Sequence, residues 1–183
     1  MRYLVLSSLL AFAAVSPAAA QPASRNNVAS IQYTFTNGGI GGAAAQCMRP
    51  PCFSYHVTVN ANGTGRIEDA RSGISHRFRV SPRTWRTLVG RLDAYRPLGR
   101  QIVDSGSPNC GRQDEVRAIY SDPFRMIRWT GRTGQDVLAV NLSCGSGDRH
   151  AAAARMERVR SILFDLLPIA RPAAAIEQAG HGG

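Results

Sequence analysis

The side chains most able to do chemistry in this chain of 183 residues are Cys47, Cys52, Cys110 and Cys144, together with His56, His76 and His150. Four cysteines are an even set, which in an exported chain predicts two disulfides. Three pairings satisfy the count. The most economical joins Cys47 to Cys52 and Cys110 to Cys144, and the chain-entropy model assigns such bonds roughly 2 and 4 kcal/mol. Zinc competes for the same residues, with His56 or His150 as a further ligand. A C-x4-C pair followed by x3-H does not match a compact finger, so no metal is expected. The chain lacks C-x-x-C, which argues against thioredoxin-type redox chemistry.

Catalytic constellations fare worse. A Ser-His-Asp site needs its serine on a sharp exposed turn and a carboxylate to orient the histidine. No G-x-S-x-G is present. Ser146, in Cys-Gly-Ser-Gly-Asp ahead of His150, comes nearest, but the stretch reads as a linker whose Asp148 caps a helix. The same glycines lack the Gly-Lys-Ser/Thr ending of a nucleotide loop, so no cofactor is implied. Glu68-Asp69 and Asp114-Glu115 are sequence neighbours, and neighbours on a strand point to opposite faces, so neither pair suits glycoside hydrolysis. An enzyme is therefore the less favoured reading, with an unrecognised His/Ser hydrolase as the alternative.

Location and charge narrow the partners. Arg2, the apolar run Tyr3 to Val15, Ser16-Pro17 and Ala18-Ala19-Ala20 have the layout of a secretory signal peptide over residues 1–20. The run is shorter than the roughly 20 residues that a spanning helix needs, so no integral membrane segment is expected. The product would be periplasmic or secreted. The chain carries 22 basic and 12 acidic side chains for a net charge of +10, and no lysine. Loss of Arg2 with the leader makes this +9. Such charge suits nucleic acid or an anionic surface. Export removes nucleic acid and leaves an anionic envelope component, or a protein, as partner.

These residues must be positioned by a small number of elements. A strand is predicted at 28–36, then a Gly/Ala-rich loop to residue 46, and a single domain over 47–170 that includes that strand. Tyr55, Val57 and Val59 alternate with His56, Thr58 and Asn60 as a half-buried strand. Asn62-Gly63 suits a type I′ turn into a return strand at 64–69, and His76 to Val80 forms another strand. Ser81 and Pro82 open a helix with Trp85, Leu88, Val89, Leu92 and Tyr95 on one face. After a polar loop around Cys110, strands are expected at 115–120, 124–130 and 136–142. A second helix follows at 148–167, with Met156, Val159, Leu163 and Leu166 as its core stripe, and a disordered tail occupies 171–183. The fold class is α+β: an antiparallel meander of about six strands, two helices packed on one face, and two disulfides.

The run Cys47-Met48-Arg49-Pro50-Pro51-Cys52-Phe53-Ser54-Tyr55-His56-Val57-Thr58-Val59, followed by Asn62-Gly63-Thr64-Gly65, resembles an uncharacterised family of exported bacterial domains, domain of unknown function 6438. Members carry two close cysteines, a tyrosine three residues after the second, an alternating strand, an Asp-Gly-Thr turn, a return strand and a helix. The resemblance covers Ile31 to Tyr95. This chain departs in a cysteine spacing one residue longer, in Phe53 where the family has proline, and in Asn62 for the aspartate. The resemblance implies a fold and export, and no chemistry.

Two binding surfaces follow from the residues. Met48 and Arg49 would project from a stapled, proline-stiffened loop between Cys47 and Cys52, as in exported protease inhibitors, because a rigid loop lowers the ordering cost of docking. Arg77 and Arg79 share one strand face, and Arg83, Arg86 and Arg91 the outer side of the following helix; together they are expected to form one basic patch. The function these features favour is a non-catalytic binding or envelope-accessory module.

Overall fold

The computed structural model describes residues 27–37, 53–69, 72–103, 124–141 and 147–180. In chain order the elements are β1 (Val28–Asn37), β2 (Phe53–Asn60), β3 (Thr64–Glu68), β4 (Ser75–Arg79), α1 (Pro82–Asp93), β5 (Arg100–Val103), β6 (Phe124–Gly131), β7 (Gln135–Asn141), α2 (Gly147–Leu166) and α3 (Ala170–Ala179). The strands form one seven-stranded sheet in the order β4-β3-β2-β1-β6-β7-β5. Every pairing is antiparallel except that of β5 with β7.

Strand alternation sorts the sheet into two faces. Ile31, Tyr33, Phe35, Tyr55, Val57, Val59, Ile67, Phe78, Ile127, Trp129 and Leu138 point one way and are buried. Trp85, Leu88 and Leu92 of α1, Met156, Val159 and Leu163 of α2, and Ala173 and Ile176 of α3 join them in one core. The opposite, polar face carries Thr58, Arg66, Arg77, Gln32 and Arg128, which the register sets in one row across five strands.

Helix α1 starts where the sequence says it should. The Ser81 side chain accepts a hydrogen bond from the Thr84 backbone N–H at 3.0 Å, and Pro82 takes a position where a missing N–H costs nothing. Ser81→Ala is expected to cost about 1 kcal/mol in urea denaturation, the usual worth of such a cap.

Four expectations need correction. Among the described residues the sheet has seven strands, one of which, β5, lies in a stretch read as loop. Its four residues are largely exposed, and its position is fixed from outside: Asp136 accepts from the Gly99 N–H at 2.7 Å and from Arg96 Nε at 2.6 Å, and Val137 N–H donates to the Gly99 carbonyl. The pairing is parallel, so the sheet is no pure meander. The stretch from residue 171, expected to be a disordered tail, is helical through Ala179. Pro172 falls in the first turn of α3, where backbone N–H groups lack helical partners, and Ala173 and Ile176 bury the inner side. The number of helices is thus three among the described residues. Finally, the β2–β3 turn is not type I′, which needs positive φ at both central residues. Only Gly63 has it (φ +80°); Gly63 N–H donates to Asn60 C=O at 2.9 Å, and Asn62 Oδ1 accepts from Thr64 N–H and Oγ1. The strand expected at 115–120 and all four cysteines lie outside the described residues, so the disulfides do too.

Candidate functional site

The polar face is concave where β2, β3 and β4 meet. A groove of about 800 Å³ lies there, lined by Thr58, Asn60, Thr64, Arg66, Glu68, Arg77 and Arg79. The register explains why three arginines crowd it. Arg66 stands directly opposite Arg77, and Arg79 opposite Thr64. Like charges on facing positions of adjacent strands repel, so this arrangement opposes folding slightly unless an anion offsets it. Among the described residues Glu68 is the one acid lining the groove, and it is already engaged: its carboxylate lies 2.6 Å from the Arg66 guanidinium. Arg66 Nε also donates to Ser75 Oγ at 3.0 Å, which aims the side chain along the face. Asn60 Nδ2 donates to Thr64 Oγ1 at 3.0 Å at the groove's end.

Arg128 extends the row two strands beyond Thr58. It is half-buried, and its Nη1 donates to Gln32 Oε1 at 3.3 Å, while its Nε is buried without a hydrogen-bond partner. Farther along this face the strands are less accessible: Thr34, Thr36 and Ala139 are buried. His56 lies on the polar face with Nδ1 3.0 Å from Thr34 Oγ1. His76 pairs with Ile67 and lies on the other face, so these two histidines do not share a site.

The arginines read as one patch fall on two sides of the sheet. Arg77 and Arg79 line the groove. Arg83, Arg86 and Arg91 are exposed on α1, whose buried side packs in the core behind it. Met48 and Arg49 lie outside the described residues. Arg66 and Arg128, by contrast, went unnoticed in the sequence. The alternation of Gly65, Arg66 and Ile67 was available as a signal, but it becomes informative only with the β3–β4 register.

A second charged cluster sits on the core face. Arg125 is 7% exposed, stacks its guanidinium 3.3 Å from the centre of the Phe35 ring, and donates from Nη1 to the Thr36 and Phe124 carbonyls. Glu157 of α2 approaches it at 3.8 Å. Arg160 lies over the Phe35 and Phe164 rings and bridges to Glu177 of α3 at 3.5 Å. Phe35, Phe53 and Tyr55 stack nearly parallel beneath. Burial lowers the Arg125 pKa and pushes the Tyr55 phenol up to about 12; Tyr33 is raised further. With two arginines against two glutamates the cluster is charge-balanced, and its partners on α2, α3 and β1 make it a clamp holding both helices to the sheet.

Among the described residues no group of three or more His, Cys, Asp or Glu side chains is arranged to hold a metal. No described helix is long and apolar enough to cross a membrane. No family model matches the chain, and comparison with curated proteins finds no match. The resemblance noted above therefore rests on its motif residues alone.

Proposed function

We propose that this chain is an exported, non-catalytic binding module that holds an anionic component of the cell envelope on the polar face of its sheet. The observation that carries this is the groove between β2 and β4, where Arg66, Arg77 and Arg79 converge and the one acid among the described lining residues, Glu68, is already paired. Thr58, Asn60 and Thr64 add an amide and two hydroxyls beside Gly65 and Phe78, so an anion would find charge and hydrogen-bond donors together. The leader-like first twenty residues and the excess of arginine agree with an envelope location.

The test is retention of the purified protein by anionic vesicles, lipopolysaccharide and polygalacturonate, set against zwitterionic vesicles and a neutral glucan. Binding to at least one anionic probe should weaken steeply as salt rises, because exposed charges are screened over about 8 Å at physiological ionic strength. The double variant Arg77→Glu/Arg79→Glu should lose about tenfold or more in affinity, roughly 1.4 kcal/mol. The variant Arg83→Glu/Arg86→Glu, on the helix behind the sheet, should bind as the parent does. Equal loss in both variants, or no retention by any anionic probe, would overturn the assignment.

A further inference from the structure

The groove is one end of a longer feature. The row Arg77, Arg66, Thr58, Gln32, Arg128 crosses β4, β3, β2, β1 and β6 at one level of the polar face. With strands about 4.8 Å apart, its four steps span about 19 Å. Charge comes at both ends, and the middle is uncharged side chains that both donate and accept hydrogen bonds. A single small anion would need only the Arg66–Arg77 end. Arg128 is pre-set at the other end by Gln32, with a buried Nε still lacking a partner.

The rings on these strands add a second constraint. Tyr33, Phe35, Phe53, Tyr55, Phe78 and Trp129 are all buried on the core face. Phe124, half-buried, is the one aromatic residue of the described strands on the polar side, and it pairs with Thr36, two rungs from the row. Single-stranded nucleic acids are held by stacking bases on exposed rings, worth about 1–3 kcal/mol per base. Among the described residues no exposed ring stands beside the row, since Phe78, which borders the groove, is only 8% exposed. What remains is recognition of fixed negative charges separated by hydroxyl groups.

From this juxtaposition we infer that the ligand of the polar face is a linear acidic polysaccharide, laid across the strands from Arg77 to Arg128. The inference rests on the binding reading above and goes beyond it by requiring length and sugar hydroxyls. Acidic groups of the polymer meet Arg77 and Arg66 at one end and Arg128 at the other. Thr58 and Gln32 meet the hydroxyls between them.

The experiment compares oligogalacturonates, a trimer and a dodecamer, by calorimetry at low salt, with polyphosphate of matched charge as a third probe. The dodecamer should bind about tenfold or more tightly than the trimer. Arg128→Gln should weaken the dodecamer about fivefold and leave the trimer unchanged, since the trimer fills only the groove. Gln32→Glu, a change in the middle of the row and outside the groove lining, should weaken the dodecamer and spare the trimer, and it guards against an Arg128 variant that fails to fold. Polyphosphate should bind more weakly than the dodecamer. Equal affinity for trimer and dodecamer with no effect of either variant would sink the polymer and leave the anion-binding reading standing. Polyphosphate binding as tightly as the dodecamer would show that charge alone is read, and would overturn the sugar assignment. Absence of binding to all three probes, alongside retention by anionic vesicles or lipopolysaccharide, would likewise remove the polysaccharide while sparing the broader reading.

Discussion

Gly63→Ala is expected to destabilise the protein by about 3 kcal/mol, far more than a surface turn substitution usually costs. Two terms contribute. Gly63 holds φ +80°, and an L-residue in that region costs about 1–2 kcal/mol. The second term is contact: a Cβ at this position would stand 2.5 Å from the Val80 carbonyl oxygen. That oxygen is backbone, and it cannot retreat cheaply. Val80 N–H donates to the Gly63 carbonyl at 2.8 Å, so the turn and the entry to α1 are tied together. Relief of the contact would lengthen this bond, worth about 1 kcal/mol. Gly73 supplies the internal control, with φ +69° and no atom within 4 Å of an added Cβ. Gly73→Ala should show the backbone term alone, about 1 kcal/mol. Urea denaturation of the two variants separates the terms, and equal losses would dismiss the contact. Because Asn60 and Thr64 of the same turn line the groove, Gly63→Ala should also weaken anion binding, whereas Gly73→Ala should not.

The same hairpin shows how much the sequence could reveal. Alternation at Tyr55, Val57 and Val59 identified β2 and its buried face, since each local signal agreed with the others. Helix α1 was legible from its cap and its stripe of Trp85, Leu88 and Leu92. Element β5 was not, because its four residues have no pattern and its place is set by Asp136, far along the chain. Helix α3 was hidden by two prolines; Pro172 is harmless only because the helix begins three residues earlier, at an Ile169 cap that carries no signal. The site divides in the same way. Arg77 and Arg79 flank Phe78, so the face opposite the core was readable. That alternation also implies what the expected single patch overlooked: Phe78 and Trp85 share one core, so the strand arginines must lie on the side away from α1. Arg66 and Arg128 depend on register between strands that the sequence does not state. Arg125 breaks the rule that charge stays out of core stripes, and the Phe35 ring, two carbonyls and the Glu157 carboxylate make its burial tolerable.

The clamp on the core face makes stability depend on alkaline pH. Tyr33 and Tyr55 are fully buried; the Tyr33 hydroxyl has no hydrogen-bond partner, and that of Tyr55 faces only the Arg160 guanidinium. Burial favours the neutral phenol in both. It outweighs the pull of Arg125 on Tyr33 and of Arg160 on Tyr55, so Tyr55 ionises near pH 12 in the folded protein and Tyr33 beyond it. In the unfolded chain both ionise at about 10. Below pH 10 the two states bind the same protons at these sites, and the full stability is present. Above it the folded state retains protons that the unfolded state has lost, so stability falls as pH rises. Each tyrosine removes about 1.4 kcal/mol per pH unit in that window, and the pair about 5 kcal/mol by pH 12. That is comparable with the whole stability of a typical domain, about 5–15 kcal/mol. The expected result is cooperative alkaline unfolding near pH 11–12, with tyrosinate absorbance from the buried pair appearing in step with loss of ellipticity. Tyr33→Phe isolates one member. It deletes a buried hydroxyl with no partner, so stability at pH 7 should stay level or rise by about 1 kcal/mol. The slope of stability against pH above 10 should fall by about half. A loss of about 2 kcal/mol at neutral pH, or tyrosinate from both residues while the protein remains folded, would show that the phenols are held by something other than burial. Because Tyr33 and Gln32 are consecutive on β1, unfolding of this core would take the polar row with it, and polyanion binding should vanish over the same pH range.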